Sequence, residues 1–145
     1  MKKIHLIGLG LLGGSFALAA KQKFPELVLK GQDTNPQNLQ DALALSIISE
    51  EASGPDADTD LVILATPANS LGDLLLKTLD QIGPNTLVFD LGSTKAKLCA
   101  VVASHPKRSQ YLATHPIAGT EYSGPKAASA TLLDRKVMIL CELEK

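Results

Sequence analysis

A glycine-rich segment near the start of the chain is the first feature with a chemical meaning. Residues 8–13 read Gly-Leu-Gly-Leu-Leu-Gly, which matches the pattern G-x-G-x-x-G. The first glycine of such a segment permits a tight turn, the second lets a pyrophosphate approach the backbone, and the third lets a helix pack against the strand. The free N–H groups at the start of that helix favour negative charge. The sequence therefore predicts a dinucleotide site, the alternative being a turn that binds nothing. The residues expected to contact the cofactor here are Gly8, Gly10, Leu11, Leu12 and Gly13.

The identity of the nucleotide depends on Asp33, which follows Gly13 by twenty residues. A carboxylate at the end of the second strand can accept both ribose hydroxyls of NAD, whereas the 2′-phosphate of NADP would meet a like charge. Neither Thr34 nor Asn35 supplies a compensating cation. We therefore expect NAD in preference to NADP. The alternative is that Asp33 only caps a helix.

Three further segments place polar side chains after predicted strands. Thr66 and Pro67 follow one strand, Ser93 follows the next, and His115 ends the one after that. Since the carboxyl ends of parallel strands meet at one edge of a sheet, a hydroxyl and an imidazole would converge where a nicotinamide would lie. A neutral imidazole can accept a proton near neutral pH. The alternatives are that Thr66 and Ser93 only cap helices and that His115 is a structural histidine.

These side chains need a scaffold, and strands alternate with helices along the chain. Apolar runs predict strands at 3–7, 27–33, 61–65, 86–90, 111–114 and 137–141, with a weaker candidate at 46–48. Helices are expected from Leu11, from Pro36 with Thr34 or Asn35 as the cap, after Pro67, and around Leu98. The alternation predicts a doubly wound, Rossmann-type α/β fold with a parallel sheet, helices on both faces, and one dinucleotide-binding domain over residues 1–145.

Apolar residues at helical spacing define the helix faces that we expect to be buried. They are Leu12, Phe16 and Ala19 in the first helix, with Ser15 and Leu18 in the same stripe, Leu39, Ala42 and Leu43 in the second, and Leu98, Val101 and Val102 in the fourth.

Composition excludes several classes of function. The chain has 145 residues, a formal net charge of -1 and 45% hydrophobic residues. Without a basic footprint, nucleic acids and anionic membranes are poor partners. Cys99 and Cys141 fit neither a metal site nor a disulfide framework, which favours a reducing, cytoplasmic location. The first twenty residues imitate a secretory signal, but four glycines interrupt the apolar run, so we expect mature protein there. His5 is expected to be buried and His105 to lie on the surface.

Four segments together resemble the nucleotide-binding domain of prephenate/arogenate dehydrogenases. They are Gly-Leu-Gly-Leu-Leu-Gly-Gly-Ser at 8–15, Ala-Thr-Pro at 65–67, Asp-Leu-Gly-Ser-Thr-Lys at 90–95 and His-Pro-Ile-Ala-Gly-Thr-Glu-Tyr-Ser-Gly at 115–124. The resemblance spans the chain from Lys2 to about Leu140. Its most specific part is 115–124, which Rossmann domains in general do not carry.

The resemblance implies an NAD-dependent oxidative decarboxylation of prephenate or arogenate in tyrosine biosynthesis. His115 matches the catalytic histidine, and Ser93 matches the serine that orients the substrate hydroxyl. The family also has a helical C-terminal domain that forms a homodimer and binds the substrate carboxylates. We expect that domain to follow residue 145, so that this chain alone would be inactive.

Two other functions remain open at this point. A β-hydroxyacid-type dehydrogenase has a similar cofactor domain but lacks the segment that begins at His115. A non-catalytic NAD sensor would need neither Ser93 nor His115. The sequence does not distinguish prephenate from arogenate.

Overall fold

The computed structural model describes residues 2–144, so that Met1 and Lys145, the two ends of the predicted domain, lie outside the described part. The strands are β1 (Lys3–Ile7), β2 (Val28–Gln32), β3 (Glu50–Glu51), β4 (Leu61–Leu64), β5 (Leu87–Asp90), β6 (Tyr111–Pro116) and β7 (Met138–Cys141). The helices are α1 (Leu11–Lys23), α2 (Pro36–Ala44), α3 (Leu71–Gln81) and α4 (Ala96–Val102). Short 3₁₀ helices lie at Arg108–Gln110 and Pro125–Ala127.

These strands form one sheet in the order β3-β2-β1-β4-β5-β6-β7. The six strands from β1 to β6 run parallel. β2 and β3 lie on one side of β1, whereas β4 and the later strands lie on the other. At this reversal of strand order, a crevice opens at the carboxyl ends of β1 and β4. The predicted doubly wound α/β fold is confirmed.

The last strand departs from the predicted parallel sheet. β7 runs antiparallel to β6, with Ala113 opposite Cys141 and Pro116 opposite Met138. A parallel connection needs a long crossover, usually an α-helix. Between β6 and β7 the chain forms only turns and the 3₁₀ helix Pro125–Ala127, so it returns in the opposite direction.

The core lies on both faces of the sheet, as β4 shows most clearly. Leu61 and Ile63 pack into the cluster beneath α1 and α2, which also contains Ala17 and Ala42. Val62 and Leu64 pack with α3 and α4 residues on the opposite face. Alternate side chains of a strand point to opposite faces, so a strand covered on both sides is a continuous apolar run. Helices on both faces are confirmed.

The helix faces only partly match the prediction. In α1 the fully buried residues are Gly13, Gly14, Ala17 and the predicted Ser15, whereas the predicted Leu12, Phe16, Leu18 and Ala19 are half-buried. Gly13 admits no larger side chain because a Cβ there would lie 2.2 Å from the Gly8 carbonyl oxygen, and a Cβ on Gly14 would lie 2.8 Å from the Ala128 Cβ. Leu43 of α2 and Val101 of α4 were wrongly predicted as buried and are 39% and 45% exposed.

The predicted strand at residues 46–48 is wrong. Ile47 and Ile48 are buried in the core but outside any strand, and β3 follows at Glu50–Glu51, paired with Lys30 and Gly31. At this exposed edge the charged residues form the ladder, and the Lys30 Nζ lies 3.1 Å from the Glu50 Oε1.

Outside the site, one histidine prediction is confirmed and one is wrong. His5 is buried in β1 at 1% exposure. His105 is not a surface residue, because its side chain is only 11% exposed and its Nδ1 accepts the Lys107 N–H. Both cysteines are free thiols. None of the helices between residues 2 and 144 has the length and apolar character to cross a bilayer.

Candidate active site

The glycine loop between β1 and α1 has a shape that other residues would not allow. Gly8 has φ +99°, and a Cβ there would lie 2.5 Å from the Ala65 carbonyl oxygen. A Cβ on Gly13 would lie 2.2 Å from the Gly8 carbonyl oxygen and 3.0 Å from the Ala65 Cβ. Gly8 therefore makes the turn and Gly13 the close helix–strand contact, which are the roles expected of these positions.

Gly10 has the opposite surroundings. A Cβ built there would meet nothing within 4 Å, so the backbone faces open space at the start of α1. The first N–H groups of a helix have no intrahelical acceptor. The first turn of α1 also contains no acidic residue. This corner can therefore receive an anionic group against the backbone of Gly10, Leu11 and Leu12.

Asp33 lies half-buried between the end of β2 and the glycine loop. Its Oδ2 accepts the Leu9 N–H at 2.8 Å, and its Oδ1 accepts the Asn35 N–H at 2.8 Å. The helix cap is Asn35, whose side chain accepts the Gln37 N–H, with Pro36 in the first turn as predicted. The interpretation of Asp33 as a mere helix cap is therefore wrong, because its carboxylate is directed to the loop.

A cleft of about 1020 Å³ joins these features at the carboxyl edge of the sheet. One wall consists of the glycine loop and Asp33, and the other contains Thr66, Pro67 and the start of α3. Thr66 caps no helix, because α3 begins at Leu71 after Ser70, and the Thr66 Oγ1 instead accepts the Ser70 hydroxyl at 3.2 Å. All predicted cofactor residues line this cleft except Gly13, which packs behind it: Gly8, Gly10, Leu11, Leu12, Asp33, Thr66 and Pro67.

Sequence reasoning missed two parts of the wall. Asp73, Leu74 and Lys77 of α3 line the cleft, and so does the strap, which we define as residues 117–124. The strap is anchored beyond its end, where the Ser129 N–H donates to the Ser15 hydroxyl at 3.0 Å. Helical spacing could have indicated the α3 residues, whereas the path of the strap has no periodic signal.

Ser93 and His115 lie at the same edge of the sheet, on the neighbouring strand ends. Ser93 is exposed in the loop after β5, and His115 is half-buried in β6, opposite Ile139 of β7. Neither residue is among those that line the cleft, and neither side chain has a hydrogen bond to another residue within 2–144. Ser93 is not a helix cap, since α4 begins at Ala96 with Lys95 before it.

A buried carboxylate between these two segments was not predicted. Asp90 ends β5 with no exposed surface, and its Oδ1 accepts the Tyr111 hydroxyl at 2.7 Å. Its Oδ2 accepts the Gly92 N–H at 2.9 Å and pairs with the Lys95 ammonium. Burial raises the pKa of the Tyr111 phenol, and the Asp90 carboxylate raises it further, so this hydroxyl stays protonated and donates. An acidic residue that ends an apolar strand was the available signal.

No metal centre emerges from this arrangement. Among residues 2–144, no group of three or more His, Cys, Asp or Glu side chains could hold a metal ion. The site is instead an open groove with backbone donors at one end and a carboxylate on one wall. The Ser93 hydroxyl and the His115 imidazole lie outside its lining, at neighbouring strand ends of the same sheet edge.

Comparison with known proteins agrees with this geometry. The family described as "Prephenate dehydrogenase, nucleotide-binding domain" matches residues 16–145. The chain is 35% identical to a prephenate dehydrogenase of Bacillus subtilis, over 98% of this chain and 40% of that protein. It is 31% identical to a prephenate dehydrogenase of Lactococcus lactis, over 98% of this chain and 41% of that protein.

A solved structure gives the same result. The prephenate dehydrogenase from A. aeolicus, in complex with hydroxyphenyl propionate and NAD+, superposes with a TM-score of 0.86 at 30% identity. The alignment covers 97% of this chain and 50% of that one. The chain thus spans only about two fifths to one half of the length of these relatives.

Proposed function

Since the chain belongs to the prephenate dehydrogenase family, whose nucleotide-binding domain it matches, we propose that residues 1–145 form the NAD-binding domain of a prephenate or arogenate dehydrogenase. This enzyme would catalyse an oxidative decarboxylation in tyrosine biosynthesis. The observation that carries the proposal is the cleft at the carboxyl edge of the sheet, which joins the open backbone at Gly10 to Asp33. Ser93 and His115 lie outside its lining, at the ends of neighbouring strands of the same edge.

The residues of the cleft fit NAD. The backbone of Gly10, Leu11 and Leu12 would hold the pyrophosphate, and the open space at Gly10 is the room it needs. The Asp33 carboxylate would accept the ribose hydroxyls. Its Oδ1 keeps a lone pair beyond the Asn35 N–H, whereas its Oδ2 already accepts the Leu9 N–H and, at 3.4 Å, the Asn38 side-chain amide, which a ribose hydroxyl would replace. Thr66 and Pro67 would contact the cofactor from the opposite wall.

The charges of the wall favour NAD over NADP. The charged residues that line the cleft within the described chain are two carboxylates, Asp33 and Asp73, and one cation, Lys77. Asp33 stands next to Thr34 and Asn35, which carry no charge. A 2′-phosphate on the ribose would therefore lie next to a carboxylate. The three charged side chains of the wall also carry a net negative charge, which disfavours a second phosphate.

His115 and Ser93 would carry out the proton chemistry. NAD held by these residues would supply the hydride acceptor for the ring carbon that bears the hydroxyl, and the ring carboxylate would leave as carbon dioxide. His115 would accept the hydrogen bond, and then the proton, of that hydroxyl, for which a neutral imidazole is suited. Ser93 would orient the hydroxyl and the imidazole. Their positions at adjacent strand ends support these roles.

A further domain would complete the substrate site. The chain matches only about two fifths of the length of these relatives. A small anionic substrate also needs cations, and among the described residues the cleft wall provides only Lys77. We propose that the full-length protein contains a helical domain after residue 145, which binds the substrate carboxylates and forms a homodimer, and that the protein works in the cytoplasm.

The test is a turnover assay with the full-length protein. Prephenate, arogenate and β-hydroxyacids are each offered with NAD. NADH is followed by its absorbance, the released carbon dioxide is quantified, and the aromatic product is identified by mass spectrometry. We expect NADH and carbon dioxide to form in equal amounts with at least one substrate. NADH formation from β-hydroxyacids alone, or cofactor binding without turnover, would favour the other dehydrogenase class or the sensor.

A further inference from the structure

The Asp90 carboxylate has a partner at every side. It is fully buried, and it accepts hydrogen bonds from the Gly92 N–H, the Lys95 ammonium, the Tyr111 hydroxyl and, at 3.4 Å, the Thr114 N–H. The Asp90 carbonyl oxygen accepts the Thr114 hydroxyl as well. Two of these five contacts close the loop that follows β5, and the other three join β5 to β6.

These donors belong to the two segments that contain Ser93 and His115. Gly92 and Lys95 flank Ser93 in the loop after β5. Thr114 directly precedes His115 in β6, and Tyr111 begins the same strand. One oxygen of this carboxylate thus contacts the Gly92 backbone and the Lys95 ammonium, on either side of Ser93, while the other contacts the strand of His115. It does not line the cleft and has no surface from which to touch a substrate.

Stability alone is a weak reason for such a group. Burying a carboxylate and an ammonium costs solvation, and apolar residues of similar volume often stabilise a protein as well or better. What a buried, fully satisfied network provides is a unique arrangement of the segments that it joins. The Lys95 side chain is 12% exposed and the Asp90 side chain is not exposed at all, so solvent does little to loosen the pair.

We propose that Asp90 is a positioning residue, whose carboxylate fixes the loop of Ser93 relative to the strand of His115. This inference rests on the proposed function for the roles of those two side chains, but the mechanical link is a separate claim. The carboxylate acts on the reaction only through the backbone segments that it holds.

Asp90→Asn tests the link with little change of volume. A carboxylate accepts at both oxygens, whereas an amide accepts at one and donates at the other. The variant must therefore leave either the Gly92 and Lys95 side or the Tyr111 and Thr114 side facing an NH₂ group. In the full-length protein we expect kcat to fall about 10²-fold, the loss typical of a misplacement of about 1 Å. KM for NAD should change less than about twofold, because Asp90 is outside the cleft wall.

A double-mutant cycle separates positioning from general damage. If Asp90 acts through Ser93, Asp90→Asn should cost much less in the Ser93→Ala background, about tenfold or less instead of about 10²-fold. The matched control is Thr86→Val, which removes another buried hydrogen bond, from the Thr86 hydroxyl to the Thr59 carbonyl at 2.7 Å, at the far end of β5. This control should lower thermal stability while kcat stays within about twofold, since it lies away from the carboxyl edge.

Two further measurements keep the inference decidable. Tyr111→Phe removes only the strand-side hydroxyl, so it should lower kcat even if Asp90→Asn does not fold. Hydrogen exchange by mass spectrometry should show faster exchange at residues 91–95 or 112–116 in these variants and no change at 8–13. If the wild-type protein shows no dehydrogenase activity, the proposed function fails and the exchange data alone decide the link. Unchanged exchange, or fully additive kcat losses in the cycle, would overturn it.

Discussion

The Asp33 carboxylate allows a quantitative test of cofactor recognition. Its two oxygens already orient the glycine loop through Leu9 and the start of α2 through Asn35, each at 2.8 Å. Asp33→Asn keeps the size of the side chain but removes its charge and turns one acceptor into a donor. Both the ribose contact and one of the two backbone contacts should therefore weaken.

The expected magnitude follows from these contacts. Losing a charge-assisted hydrogen bond to a ribose hydroxyl costs about 1.5–3 kcal/mol. At about 1.4 kcal/mol per factor of ten, NAD affinity should fall about 10- to 100-fold. The backbone amide that then faces an NH₂ group should cost the fold about 1 kcal/mol. NADP affinity should rise or stay level, because the repulsion of its 2′-phosphate is removed.

Isothermal titration calorimetry with NAD and NADP measures these changes. The control is Asp134→Asn, which makes the same change of charge at an exposed position outside the cleft and should leave both affinities unaltered. Thermal melting of each variant separates a loss of fold from a loss of contact. The reasoning is refuted if Asp33→Asn binds NAD as tightly as the wild type, or if the wild type prefers NADP.

Three other predictions concern the loop, the buried histidine and the limits of the chain. Gly10→Ala should fold normally, since its Cβ meets nothing within 4 Å, but should lose NAD binding. Gly13→Ala should lower the free energy of unfolding by about 1–3 kcal/mol, because its Cβ would lie 2.2 Å from the Gly8 carbonyl oxygen. Calorimetry and urea denaturation check this pair, and equal behaviour of the two variants would contradict it. Burial lowers the pKa of His5 below its usual 6.5, and the neighbouring Gln32 side chain offsets only part of this effect. The unfolded chain therefore takes up the proton first, and stability should fall as the pH drops below about 6.5, by up to about 1.4 kcal/mol at pH about 5.5. Urea denaturation of the wild type and His5→Val across this range should show a flatter dependence in the variant; parallel curves would exclude His5 as the cause. Finally, residues 1–145 alone should bind NAD but produce negligible NADH from prephenate or arogenate, and robust turnover in the absorbance assay would show that no further domain is needed.

The parts of the fold that sequence reasoning recovered are those in which one physical demand dominates. β4 is covered on both faces, so every residue from Leu61 to Leu64 must be apolar, and the run is visible by eye. The glycine loop is equally explicit, because Gly8 and Gly13 stand where any Cβ would collide with backbone. Such constraints act on single residues and can be read locally.

The parts that were missed depend on partners distant in sequence. β3 consists of Glu50 and Glu51 because these residues pair with Lys30 and Gly31 of β2 at the sheet edge. No hydrophobic pattern indicates such a strand. The direction of β7 follows from the path of the chain across the strap and not from its apolar residues. In the site, the segment Asp-Leu-Gly-Ser-Thr-Lys was enough to single out Ser93. The contact of Asp90 with Tyr111 joins residues that are distant in sequence, so no local pattern indicates it.

The central claim, that this chain provides the cofactor site and the proton acceptor of a prephenate or arogenate dehydrogenase, is tested most directly by His115→Asn in the full-length protein. Steady-state kinetics over a range of pH should show kcat reduced about 10²- to 10⁴-fold with NAD affinity nearly unchanged. The acidic limb of the kcat/KM profile should disappear, because asparagine cannot act as a proton acceptor. A variant that keeps the wild-type kcat and the wild-type pH dependence would contradict the claim.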